Sequence, residues 1–416
     1  GQWSEARVLD GAPGIDPSLF FDDDGRAWYV GNHIPPDPEF PGQAEIWLQE
    51  VDIDAMRLIG ERHFLWRGCC GGVWAEGPHI YKRDGWYYLM ISEGGTSFDH
   101  AMAIAISKDI TGPYLSNARN PVLTHRHLSY DYPISGVGHA DLVELEDGRW
   151  YAVALGWRLA KGKYGILGRE TFLVPVTWEQ EPYAWKDEKL TWPVFSPDTG
   201  RIEHEYPAPF GNTLTQPDYA FRDDFDTEER PLDWNFRRAP ASDFLDVDPA
   251  SGQLIMHLLT TAIGERQQYA FTGIRQRHFE FEATTSLELA AEDARSEAGM
   301  ALIMNDRSAL LFTLTGNGEL RLVHNRDGEV EELASSPFDG HAVQLRVTAD
   351  YVDLGFHYSA DGNEWQTLAS GVDGSVLAPE RIGGYNYTGT YVGLYGSANG
   401  GYPGVAIYDF MEYRPR

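Results

Sequence analysis

Three stretches of this chain repeat one pattern about sixty residues apart, and that period limits the fold more than any other feature. The copies run Asp16-Pro17-Ser18-Leu19-Phe20-Phe21-Asp22-Asp23-Asp24-Gly25, Glu76-Gly77-Pro78-His79-Ile80-Tyr81-Lys82-Arg83-Asp84-Gly85 and His139-Ala140-Asp141-Leu142-Val143-Glu144-Leu145-Glu146-Asp147-Gly148. Each opens on an ionisable residue and reaches Asp-Gly at the same offset, with aromatic residues close behind. Asp-Gly between apolar runs marks a β-hairpin, because the Gly takes the positive φ of a tight turn. A fixed period in β-rich sequence reads as propeller blades whose first strands line a central channel. Asp16, Glu76 and His139 are therefore expected to converge on one axis. Acidic residues opening solvated hairpins would explain a single copy, but a purely structural repeat would reuse one residue type.

The length of 416 residues accommodates two domains. A net charge of −30 argues against nucleic acid and anionic membrane surfaces as partners. The 13 Trp and 22 Tyr exceed what cores usually require, and aromatic faces stack on sugar rings. Cys69 and Cys70 are adjacent and cannot staple a loop, which favours a reducing, cytoplasmic compartment over a secreted one. No apolar run is long enough to span a bilayer, and no signal peptide opens the chain. Gly1-Gln2-Trp3-Ser4 reads as the middle of a blade. About three blades follow, whereas a closed propeller needs at least four, so one or two blades are expected to be missing upstream.

Leu167 to Val176 is expected to be the strand that closes the last blade. Residues 1–205 then form the propeller region, and 206–220, rich in Pro, Gly, Asn and Thr, read as a linker. From 221 to 416 the pattern changes. Stretches such as Leu254-Ile255-Met256-His257-Leu258, His278-Phe279-Glu280-Phe281-Glu282-Ala283, Ala301-Leu302-Ile303-Met304 and Val343-Gln344-Leu345-Arg346-Val347 alternate between turn signals. This predicts an antiparallel β-sandwich with one face solvated.

Six motifs resemble glycoside hydrolase family 43, in its β-xylosidase and α-L-arabinofuranosidase branch with a C-terminal β-sandwich. They are Gly14-Ile15-Asp16-Pro17-Ser18-Leu19-Phe20-Phe21, Glu76-Gly77-Pro78-His79, Glu93-Gly94-Gly95-Thr96, Asn120-Pro121-Val122-Leu123-Thr124-His125-Arg126, Gly138-His139-Ala140-Asp141-Leu142-Val143 and Leu167-Gly168-Arg169-Glu170-Thr171-Phe172-Leu173. The second region is matched more loosely, through Phe221-Arg222-Asp223-Asp224-Phe225 and Tyr387-Thr388-Gly389-Thr390-Tyr391-Val392-Gly393-Leu394. The resemblance implies an all-β chain: a five-bladed β-propeller, N-terminally incomplete here, followed by a β-sandwich. It implies Glu76 as general acid, Asp16 as the carboxylate that tunes it, and Arg169 as the holder of substrate hydroxyls. Tyr387 would reach from the sandwich into the pocket, Thr96 and Trp74 would wall it, and His139 would ligate a calcium ion or stand beside its waters. Calcium prefers oxygen ligands, so water would have to complete such a shell.

Inverting glycoside hydrolysis needs an acid for the leaving oxygen and a carboxylate on the far face to activate water, about 6.5–9.5 Å apart. The family's base lies upstream of Gly1, and no Asp here takes its position. Asp22, Asp23 and Asp24 are expected to be solvated turn residues. The expected substrates are xylo-oligosaccharides or arabinoxylan fragments, with xylose and arabinofuranose not distinguished. Oligomeric state is open. A non-catalytic carbohydrate-binding propeller and a retaining, family 32-like fructan hydrolase are the alternatives.

Overall fold

The computed structural model describes residues 3–69, 73–182, 189–211, 219–238, 240–384 and 386–416. Gly1-Gln2, Cys70 and residues 212–218 of the expected linker lie outside the described residues. The chain is almost entirely β-structure and divides into two compact units. One comprises Gly1–Trp157 with Glu170–Gly211, the other Arg158–Arg169 with Asn212–Arg416. The stretch 158–169, which the sequence places within the propeller region, thus packs with the second unit.

The first unit holds three blade-like antiparallel sheets. In the first, β1 (Ile15–Phe21), β2 (Ala27–His33), β3 (Glu45–Asp52) and β4 (Arg57–Trp66) pair in chain order. The second has β5 (Glu76–Arg83), β6 (Trp86–Glu93) and β7 (Ala101–Ser107), with the short β8 (Leu115–Ser116) and β9 (Leu123–Thr124) both paired to β7. The third has β10 (Ile134–Glu144), β11 (Trp150–Arg158), β12 (Glu170–Gln180) and β13 (Thr191–Phe195). The expected closing strand differs in two ways: it begins at Glu170 rather than Leu167, and β13 is the outermost strand.

Period-2 side-chain alternation explains how the blades stack. On β6, Leu89 and Ile91 join Trp28, Val30, Ile46 and Leu48 of the first blade. Their neighbours Tyr88 and Met90 join Val137, Ala152, Val174 and Trp192 of the third. The middle sheet is therefore apolar on both faces, as a sheet covered on both sides must be.

The three hairpins are present, but the equal spacing in sequence hides a one-residue shift. In the first copy Asp22 N–H donates to Arg26 O at 2.9 Å around a three-residue loop, and in the third Leu145 N–H donates to Arg149 O at 2.8 Å around another. In the middle copy Arg83 pairs with Trp86 directly, leaving the two-residue turn Asp84-Gly85 with both φ positive, at 51° and 74°. The other end of each first strand carries the compensating irregularity. Register slips between Ile15 and Ser18 and between Glu76 and His79, and the left-handed residues there are Asp16 (φ 51°) and Gly77 (φ 55°), with His139 (φ 47°) their counterpart on β10. The structural equivalent of Asp16 and His139 is Gly77, and Glu76 stands one position earlier.

Ties at the repeat spacing join neighbouring first strands. Ser18 Oγ donates to Pro78 O at 2.7 Å, and Tyr81 Oη donates to Asp141 Oδ1 while accepting Leu142 N–H at 2.8 Å. Asp22 is a correction to the sequence expectation. It is 8% exposed and accepts from Lys82 Nζ at 2.5 Å and Tyr87 Oη at 2.7 Å. Burial alone would raise its pKa, but those hydrogen bonds outweigh burial and hold it below the usual carboxylate range.

In the second unit, two facing sheets form the expected sandwich. One includes Glu280–Ala290, Ala342–Asp350, Asp353–Ser359 and Val405–Pro415; the other includes Ala270–Arg275, Glu297–Asn305, Ser308–Thr315 and Tyr391–Ser397. The expectation of one solvated face holds for Ala342–Asp350, which alternates buried with half-exposed residues. It fails for Ser308–Thr315, which is buried throughout. Phe312 faces the inter-sheet core, while Leu311 joins a second apolar cluster with Ile263, Tyr269 and Tyr395.

Candidate active site

Two glycines and one asparagine assemble the polar cluster at the start of β5. Asn32, 6% exposed, accepts Ile15 N–H at 3.2 Å and donates from Nδ2 to Ala75 O at 3.0 Å. One side chain thus pins the backbone immediately before Asp16 and immediately before Glu76. Sequence reasoning missed it, since its only local signal is a polar residue inside the apolar run of β2.

Glu76 has a side chain 14% exposed. His100 Nε2 approaches its Oε1 at 3.9 Å and His139 Nδ1 at 4.0 Å, with the two rings edge to face at 6.5 Å. His100 was also missed. Its visible signal is an ionisable residue directly before β7, a strand buried throughout. Its Nδ1 lies 3.1 Å from Gly136 O, and because a carbonyl only accepts, Nδ1 carries the hydrogen in that bond. Nε2 is the nitrogen turned toward Glu76. Space for the rings comes from missing side chains. A Cβ on Gly77 would stand 2.7 Å from His139 Nε2, and one on Gly138 2.6 Å from the His100 ring. His139 N–H donates to Ser92 Oγ, and Ser92 Oγ in turn donates to Met102 Sδ at 3.1 Å.

Asp16 lies beside His79 of β5. Burial lowers the His79 pKa, and the charges of Asp141 and Asp16 oppose that effect. Asp141 Oδ1 is 3.6 Å from His79 Nδ1. Among the described residues Asp16 Oδ2 is buried without a hydrogen-bond partner. A native structure rarely leaves a buried carboxylate oxygen unpaired unless the group has other work to do.

Trp74, 52% exposed and at φ 52°, lays its ring over two glycines, since a Cβ at Gly42 or Gly95 would come within 2.9 or 3.0 Å of it. Thr96 follows Gly95 in the same turn and is partly exposed. Glu93, 2% exposed, accepts Cys69 N–H at 2.9 Å and the Cys69 thiol at 3.0 Å. In the second unit, the Arg169 guanidinium stands 3.8 Å over the Tyr387 ring, and Arg169 N–H donates to Tyr387 O at 2.9 Å. The backbones approach closely enough that a Cβ on Gly168 would lie 2.3 Å from Gly389 N.

Glu76, His100 and His139 bring their ligand atoms within 4.8 Å of one another. Two ring nitrogens and one carboxylate oxygen do not fit calcium, which takes six to eight oxygens, and the rest of any shell would fall to water.

The profile described as Glycosyl hydrolases family 43 matches residues 1–182, and that described as Beta xylosidase C-terminal Concanavalin A-like domain matches residues 222–414. A Xylosidase/arabinosidase of Butyrivibrio fibrisolvens is 38% identical, the alignment covering 96% of this chain and 76% of that protein. The Non-reducing end alpha-L-arabinofuranosidase BoGH43B of Bacteroides ovatus is 31% identical over 100% of this chain and 74% of its own length. Among solved structures, the GH43 BlXynB protein from Bacillus licheniformis superposes with a TM-score of 0.83 at 27% identity, over 98% of this chain and 76% of that one.

Proposed function

Since the chain belongs to glycoside hydrolase family 43, we propose that it removes xylose or arabinofuranose from the non-reducing ends of xylo-oligosaccharides or arabinoxylan fragments, with inversion at the anomeric carbon. The observation that carries the reading is Glu76, partly enclosed and set against His100 and His139 at the head of β5. In this reading Glu76 protonates the glycosidic oxygen. Asp16, whose charge already reaches β5, keeps that proton in place near neutral pH by like-charge repulsion. In the first unit Trp74 and Thr96 wall the site of Glu76; in the second, Arg169, beside Tyr387, carries the guanidinium fork suited to sugar hydroxyls. The base that activates water is not one of the turn aspartates. Asp22 and Asp23 are paired with Lys82, and Asp24 with Arg26.

The test is Glu76→Gln. Turnover of xylobiose should fall about 10²–10⁴-fold, while an aryl xyloside with a good leaving group is largely spared. Equal losses on both remove Glu76 from the acid's role. NMR of the first-formed anomer checks inversion. Sugar binding with no turnover would make the protein a carbohydrate-binding propeller instead.

A further inference from the structure

We propose that Phe98 and Tyr130 form a stacking platform for the sugar on the leaving-group side of the scissile bond, so that its ligand is the second pyranose ring of a xylo-oligosaccharide. The proposal rests on the glycosidase reading above. The two rings stack at 4.5 Å with their planes 28° apart, yet Tyr130 is 80% exposed. One face of Tyr130 is held by Phe98 and the other is open to solvent. An aromatic ring packed on one face is rigid, and the apolar C–H face of a pyranose matches it.

The platform shares the backbone that holds the acid's neighbours. Phe98 lies two residues before His100, which limits their Cα separation to about 7 Å. His100 N–H donates to Ser97 O at 3.1 Å and closes that turn. On the Tyr130 side, Tyr132 N–H donates to Ser129 O at 3.0 Å, and the buried His125 binds Ile134 O through Nδ1 at 2.7 Å as the chain enters β10. The two segments meet at Gly136. Its carbonyl binds His100, and a Cβ there would lie 2.9 Å from Ser97 O. Glu76 gives its proton to the departing oxygen, so the departing sugar lies on the acid's side. Tyr130 is an exposed aromatic whose loop runs into the strand that holds His100.

The test compares xylobiose, which places a sugar ring in the leaving position, with β-xylosyl fluoride, which places none. Tyr130→Ala should lower kcat/KM for xylobiose about tenfold and change that for the fluoride less than twofold, while Tyr130→Trp keeps both near the starting values. Equal losses on the two substrates, or an unchanged xylobiose rate in Tyr130→Ala, would overturn the platform while leaving the glycosidase reading intact. If the unaltered protein turned over neither substrate while cleaving aryl arabinofuranosides, the platform would be overturned and the glycosidase reading kept; inactivity on all three would remove that reading and the proposal with it.

Discussion

Asp16 and Asn32 are the single residues at which the proposed chemistry can be tested most directly. Among the described residues Asp16 carries a buried oxygen without a hydrogen-bond partner, and its charge is felt at His79 on the strand that Glu76 begins. Replacing it with Asn removes the charge and keeps the shape. The acid's anion is then less disfavoured, its pKa falls, and the alkaline limb of the kcat/KM profile should move down by about one unit. An unmoved limb would deny Asp16 the tuning role. Asn32 acts one step further back, through the two bonds that fix the backbone ahead of Asp16 and Glu76. Asn32→Ala leaves a part-buried N–H and a buried carbonyl unpaired, the latter at about 1–3 kcal/mol. Melting temperature should drop, and kcat should fall at least tenfold with KM nearly unchanged, because misplaced groups lose rate rather than binding. A loss confined to KM would contradict this. Neither Asn32 nor His100 was legible in the sequence, because each acquires its partner from a distant segment: Ala75 for one, Gly136 for the other.

At the scale of elements, the hairpins were legible because the turn chemistry is local. Their phase was not. A two-residue turn in the middle copy and three-residue loops in the other two gave equal spacing to unequal positions, so Glu76 aligned with Asp16 on paper but stands one residue earlier in space. The burial of Asp22 escaped the sequence for a related reason. Three consecutive aspartates beside a Gly look solvated, and only the pairing of β5 with β6 brings Lys82 and Tyr87 to the first of them. That tie joins the first blade's turn to the second blade, so Asp22→Asn should destabilise the protein by about 2 kcal/mol at neutral pH. Because the folded-state pKa of Asp22 is depressed, its contribution is present above about pH 4, the unfolded value, and is lost as pH falls through the folded value below that. Thermal melts of the two proteins should differ at pH 7 and converge toward pH 3. A gap that persists unchanged at pH 3 would mean the stabilisation is not ionic.

At the scale of the molecule, the middle blade is covered on both faces while its two neighbours each keep an apolar face open. On the first blade, Phe20 turns inward, while Ile15, Leu19 and Phe21 remain 59%, 51% and 65% exposed. On the third, Ala152, Ala154 and Val174 turn inward, while Val143, Val153 and Leu173 remain 40%, 38% and 43% exposed, with Val153 directly opposite Leu173 across the β11–β12 pair. Contiguous exposed apolar side chains on a sheet are rare on monomers and usually mark surfaces that another surface covers. The alternation that produced these faces was legible in the sequence, but which face would be left open was not, because that depends on how the sheets stack. Residues 1–416 on their own, at micromolar concentration, should therefore self-associate, with sedimentation coefficients that rise with concentration. Leu19→Lys combined with Phe21→Lys should reduce that association without lowering the melting temperature, since both side chains point away from the core that Phe20 joins. If residues 1–416 without substitution sediment as a single monomeric species across that range, these faces do not drive association.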